Sequence, residues 1–127
     1  MIFIGRDIES TGGVDFNIIC DAEIELGMKF SSDFIEYLNK YGTVEFNNRE
    51  LFGLGITGYR NIVDATQHEK TLSSNFPSGY CVIYNLGINS ILILLGNDGY
   101  IYEYTPRSVE IIFKSFNQWI AEEFLKY

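Results

Sequence analysis

His68 and the thiols Cys20 and Cys81 are the side chains of this 127-residue sequence best suited to nucleophilic or metal chemistry. A metal site asks for two or three nitrogen or thiolate ligands at set spacing. His68 has only Asp64 and Glu69 near it in the chain, and no cysteine pair lies close. A hydrolytic triad needs a nucleophile, an imidazole base and an orienting acid. His68 is the sole candidate base, and no elbow motif surrounds any serine. Neither cysteine has a sequence neighbour whose positive charge would activate a thiol. Two buried free thiols in a reducing compartment are expected. No catalytic, cofactor-binding or metal-binding residue is assigned.

Three other patterns invite a chemical reading. Gly53-Leu54-Gly55-Ile56-Thr57-Gly58 fits G-x-G-x-x-G. A dinucleotide site would also need a buried parallel strand before the glycines and a full helix after them. Here a polar hairpin strand precedes, and residues 72–79 form a Ser/Asn/Pro/Gly loop, so a flexible exit is the better reading. Carboxylate pairs such as Glu23/Glu25 and Glu122/Glu123 point in different directions on a helix and need not converge. Tyr100, Tyr102 and Tyr104 would share one face of a strand. Base stacking there would normally require basic residues, and these strands carry none. Packing or a protein contact fits the tyrosines better.

Composition narrows the class. The chain is long enough for one domain spanning residues 1–127 with a sizeable core. Net charge is −8, and residues 1–50 hold ten acids against four bases. This argues against nucleic acid or an anionic membrane as partner and permits a basic protein. The apolar start, Met1 to Ile4, meets Arg6, Asp7 and Glu9 at once, so no signal peptide is expected. The run Ile91–Leu95 is too short to span a bilayer. A cytoplasmic location is expected.

The elements that would position these residues follow from spacing. Residues 1–14 read as an apolar piece and a glycine loop. Residues 15–26 alternate like a strand but also place Ile19, Ala22 and Leu26 on one helical face. Asp15 as cap, Gly27 as stop and the Ala/Glu/Leu content favour helix. Cys20 and Ile24 then either meet a second layer or form an apolar spot on an acidic surface. Residues 32–41 are a second helix, with Phe34, Leu38 and Tyr41 inward, Asp33 outward, Ser31 or Ser32 capping and Gly42 ending it.

Thr43–Phe52 reads as a hairpin turned by Asn47-Asn48. A short helix or turn is expected around Ile62–Thr66. Tyr80–Leu86, Ser90–Leu95 and Tyr100–Thr105 form a three-stranded meander with Asx-Gly turn signals. Pro106–Tyr127 reads as a long closing helix with Thr105 as N-cap, Pro106 at N1 and Val109, Ile112, Phe116, Ile120 and Phe124 inward.

The order of pieces resembles the SUKH superfamily of bacterial immunity proteins and fungal cell-wall-synthesis regulators. The matching residues are Thr11-Gly12-Gly13-Val14, Ala22-Glu23, Leu26-Gly27, Phe34–Leu38, Tyr41-Gly42, Glu50–Leu54, Asn61–Thr66 and Ser115–Ile120. Ser31 departs from the family, which often has proline there. The resemblance implies an α+β fold: a central antiparallel sheet, hairpin plus three-stranded meander, packed by two N-terminal helices and one long C-terminal helix. It also implies a non-enzymatic antidote that binds and neutralises a cognate toxin, often a nuclease, without a cofactor. On that reading the exposed acids Glu45, Glu50, Asp64, Glu69 and Glu103 are the candidate contacts for a basic partner. A small-ligand or regulatory module, with its pocket on the Tyr face, is the alternative, and an enzyme ranks last.

Overall fold

Local signals start and stop the first elements where the sequence places them. In a computed structural model that describes residues 3–126, Asp15 accepts a hydrogen bond from Ile18 N at 3.1 Å and caps α1 (Phe16–Leu26). Ile19, Ala22 and Leu26 bury one face, while Phe16, Cys20 and Ile24 stay exposed. Of the two expected buried thiols, then, only Cys81 is buried. Cys20 falls on the outer side of the helix, which resolves the Cys20/Ile24 question as an apolar spot.

In α2 (Ser32–Tyr41), Phe34, Tyr37 and Leu38 are buried. Ser31 occupies the N-cap position without capping the backbone. Its hydroxyl instead donates to Asp33 Oδ1 at 2.6 Å. Asp33, expected to face outward, is half-buried, and its Oδ2 accepts from Asn117 N at 3.1 Å, tying α2 to the last helix.

β1 (Glu9–Ser10) lies where only a loop was expected. It pairs antiparallel with β2 (Val44–Phe46), which pairs with β3 (Arg49–Leu51). Asn47 and Asn48 both take positive φ, 49° and 65°, as a two-residue hairpin turn requires. The exit after β3 is not flexible. Gly53 N donates to the Arg60 carbonyl, Ile62 N to the Gly53 carbonyl and Leu54 N to the Gly42 carbonyl, at 2.9 to 3.0 Å. A Cβ on Gly53 would lie 1.7 Å from the Gly42 carbonyl oxygen.

The short helix or turn expected around Ile62–Thr66 is a helix, and a longer one, α3 (Ile62–Leu72). Asn61 caps it by accepting from Val63 N and Asp64 N. The meander holds as β4 (Tyr80–Asn85), β5 (Leu92–Gly96) and β6 (Ile101–Thr105). A fourth strand, β7 (Ser108–Phe113), replaces the first part of the expected closing helix. Thr105 ends β6 and Pro106-Arg107 forms the β6–β7 turn, with Arg107 N donating to Thr105 Oγ1, so Thr105-Pro106 is no helix start. The true cap is Ser115, which accepts from Gln118 N. Only α4 (Phe116–Trp119) and a continuing π-helical turn (Ile120–Phe124) close the chain. Met1, Ile2 and Tyr127, at the ends of the expected elements, lie outside the described residues.

The fold is α+β with two antiparallel sheets, in the orders β1-β2-β3 and β4-β5-β6-β7. The hairpin and meander therefore do not merge into one ladder. Phe52 N, just after β3, donates to the Ile83 carbonyl of β4 at 2.9 Å and links the two. The core is aromatic. Phe34 and Tyr37 contact Phe116 at 5.0 and 5.2 Å, and Tyr84 contacts Trp119 and Phe124 at 5.6 and 5.9 Å. Such tilted and edge-on pairs add to the burial of the rings themselves.

Tyr37 is the polar pin of this core. Its hydroxyl donates to the Phe52 carbonyl at 2.8 Å, with the Leu51 carbonyl at 3.2 Å. Burial holds its pKa well above the ordinary 10.0, against the opposing pull of Arg60. Burial likewise pushes the Cys81 thiol up. Both groups stay protonated in the fold, while the unfolded chain ionises them above about pH 9 to 10. Their contribution is complete below that range and is lost as pH rises. Stability is expected to fall between pH 9 and 11, roughly the range set by those reference values. Tyr37→Phe should cost about 1 kcal/mol at neutral pH and flatten the alkaline decline. Urea unfolding across that pH range measures both, and an unchanged slope in the variant would remove Tyr37 as its cause.

Candidate functional site

The β1–β3 sheet buries one face and turns the other outward. Val44 and Leu51, Cα partners across β2 and β3, are buried. Glu9, Glu45 and Glu50 alternate with such residues and align: Glu9 is opposite Glu45, and Glu45 opposite Glu50. Three carboxylates thus run across the strands in one row. Like charges placed directly opposite destabilise a sheet, so the row calls for a counter-charge.

Arg60 supplies part of it. Its side chain is 17% exposed, and its Nε lies 3.6 Å from Glu50 Oε2. Its Nη2 donates to Thr43 Oγ1 at 3.1 Å, and Thr43 Oγ1 lies 2.9 Å from Thr11 Oγ1. A small cleft of about 110 Å³ opens here, lined by Glu9, Ser10, Thr11, Glu45 and Arg60. Among the described residues, Arg60 is the lone cation lining it.

Tyr59 carries the surface onward. The residue is 65% exposed, and its hydroxyl donates to the Glu50 carboxylate, whose two oxygens lie 2.7 and 2.8 Å away. That hydrogen bond to Glu50 is the main cause of a raised Tyr59 pKa. The ring meets Phe52 edge-on at 6.1 Å and forms one wall of a cleft of about 340 Å³. Phe52, Ala65, Val82 and Leu92 make its apolar floor; Asp64, His68, Glu69 and Asn85 rim it. The Asn61 cap fixes the start of α3, and Asp64 Oδ2 accepts from Gly58 N at 3.3 Å. Ala65, His68, Glu69 and Leu72 then follow at helical spacing along one side.

Four of the five acids read from the sequence therefore fall on one surface: Glu45, Glu50, Asp64 and Glu69. The fifth does not. Glu103 sits opposite Glu110 on the other sheet and lines a separate groove with Arg49, Trp119 and Glu123. Of the five acids expected to be exposed, only Asp64 is; Glu45, Glu50, Glu69 and Glu103 are half-buried against their neighbours. Glu9 is the acid that sequence reasoning missed. Its only signal was position in a short alternating stretch, because its partner in the row lies 36 residues on.

The Tyr face forms no open platform. Tyr102 and Tyr104 are buried; Tyr102 contacts Tyr80 at 4.8 Å and Tyr104 contacts Phe76 at 5.2 Å. Among the described residues, no group of three or more His, Cys, Asp or Glu is placed to hold a metal ion. No helix among them is long and apolar enough to cross a membrane.

A family model, SUKH_5, described as SMI1-KNR4 cell-wall, matches residues 6–125. No curated protein matches the chain.

Proposed function

Because the chain belongs to the SUKH_5, SMI1-KNR4 cell-wall family, we propose that it is a non-catalytic immunity protein that binds and neutralises a cognate toxin domain in the cytoplasm. The carrying observation is the continuous acidic surface from Glu9, Glu45 and Glu50 through Tyr59 to Asp64 and Glu69. A nuclease must present cations to phosphates, so a nuclease toxin is the partner this surface complements best. Opposite potentials would steer the encounter and fix its orientation. Tyr59 offers a rigid aromatic anchor with a polar tip, a residue type enriched at binding hot spots. Its tie to Glu50 pre-organises the ring and lowers the ordering cost of docking.

Co-expression with the toxin encoded beside this gene tests the reading. Cells carrying both should grow while cells carrying the toxin alone die. Equal death in the two strains, with the antidote present in soluble form, would sink it for that partner.

A further inference from the structure

The Tyr59 cleft does not end at Glu69. A second cleft of about 430 Å³ shares Glu69, Asn85 and Leu92 with it and continues along α3 to Leu72, Tyr104 and Pro106. The two form one groove, with α3 as one wall and the ends of β4, β5 and β6 as the other. No lysine or arginine lines either part. Asp64 lines the first part, over the apolar floor, and Glu69 stands at the junction of the two. Leu72, 66% exposed on the last turn of α3, lines the second part beyond them.

We infer that this groove seats an extended segment of the partner protein that carries an arginine or lysine two positions from a branched aliphatic residue. The inference rests on the docking reading above and names the part of the partner that enters. The charge comes from the rim: a cationic head can reach Glu69, or Asp64 nearer the start of the helix, while its stem lies over Ala65 and Val82. A second copy of this chain would bring its own charge of −8 to the acidic end, and a phosphate-bearing ligand would be repelled there. The spacing comes from the helix. From midway between Asp64 and Glu69 to Leu72 is about 8 Å along α3, at roughly 1.5 Å per residue. Residues i and i+2 of an extended chain share a face about 7 Å apart.

Two probes test this on the isolated protein: N-acetyl-Arg-Ala-Leu-amide and its reverse, N-acetyl-Leu-Ala-Arg-amide. Each is titrated against the isotope-labelled chain and followed by amide chemical shifts. Ligands of this size should bind at least one direction with Kd on the order of 1 mM. The shifts should concentrate at residues 64–72, Asn85 and Leu92. Citrulline in place of arginine keeps the shape and removes the charge, and should weaken binding about tenfold. Asp64→Asn with Glu69→Gln should erase that arginine–citrulline difference while the rest of the spectrum stays in place. The inference is overturned if neither peptide shifts these residues, if citrulline binds as well as arginine, or if the double variant keeps the preference. The titration contains no toxin, so its failure leaves docking on the acidic sheet standing. Failed rescue with intact peptide binding strikes the docking reading instead.

Discussion

Gly53→Ala is expected to lower stability by about 3 kcal/mol, the upper range for a forced overpacking, and to cut Tm by roughly 10 °C for a domain of this size. The cause is contact with backbone, which cannot swing aside. The new methyl would meet the Gly42 carbonyl oxygen at 1.7 Å and its carbon at 2.8 Å. Gly42 has no room to yield. It is itself at φ 71°, and its own missing Cβ faces the Gly12 carbonyl oxygen at 2.2 Å. Relief by moving residue 53 would break the bonds from Gly53 N to Arg60 and from Ile62 N to Gly53, and with them the start of α3. Thermal unfolding followed by circular dichroism measures the loss. Gly58→Ala is the comparison: it has a positive φ, 98°, which Gly53 lacks, and meets nothing within 4 Å, so it should cost about 1 kcal/mol from backbone conformation alone. Equal losses at both positions would show that packing at Gly53 is not the cause.

The second large effect concerns binding. Glu45→Lys with Glu69→Lys adds two units of positive charge at each site, on the small sheet and on the groove rim. Both side chains are half-buried at the surface, and surface substitutions change stability by about 0.5 kcal/mol or less. The association rate with the basic partner should fall at least tenfold at low salt, the lower end of what steering contributes. Its steep salt dependence should flatten, because screening then has less attraction to remove. Surface plasmon resonance against the purified toxin domain, at two ionic strengths, reads both quantities. Glu103→Lys with Glu110→Lys adds the same charge on the other sheet and serves as the comparison. If the two double variants slow association equally, net charge and not the acidic surface governs recognition.

What could be read in the sequence was what neighbours in the chain decide. Asp15 and Gly27 bound α1 by capping chemistry, and Asn47-Asn48 turns the hairpin because asparagine tolerates positive φ. Residues 108–124 failed because two periods overlap there. Val109, Ile111 and Phe113 alternate as a strand does, while Ile112, Phe116 and Ile120 step by four as a helix does. Thr105-Pro106 resembled a helix start, and the hairpin it makes with Ser108 is what decided for strand. The acidic surface was legible only as a list of charges. Its convergence depends on β1 pairing across both helices, and Glu103 leaves the group because β6 belongs to the four-stranded sheet, separate from the hairpin.

That pairing sets an order of events. β1 contributes two residues and meets β2 only after the chain between them, with α1 and α2, has folded back. Contacts separated this far must first meet the entropy of closing the loop. The three-carboxylate row is therefore expected to be completed late in folding, and so short a strand is expected to be among the first to open in the native protein. A newly made chain has its charges before it has their arrangement. On the immunity reading proposed above, protection would begin with completed folding and not with synthesis, and its onset would wait on the closing of two residues onto an edge.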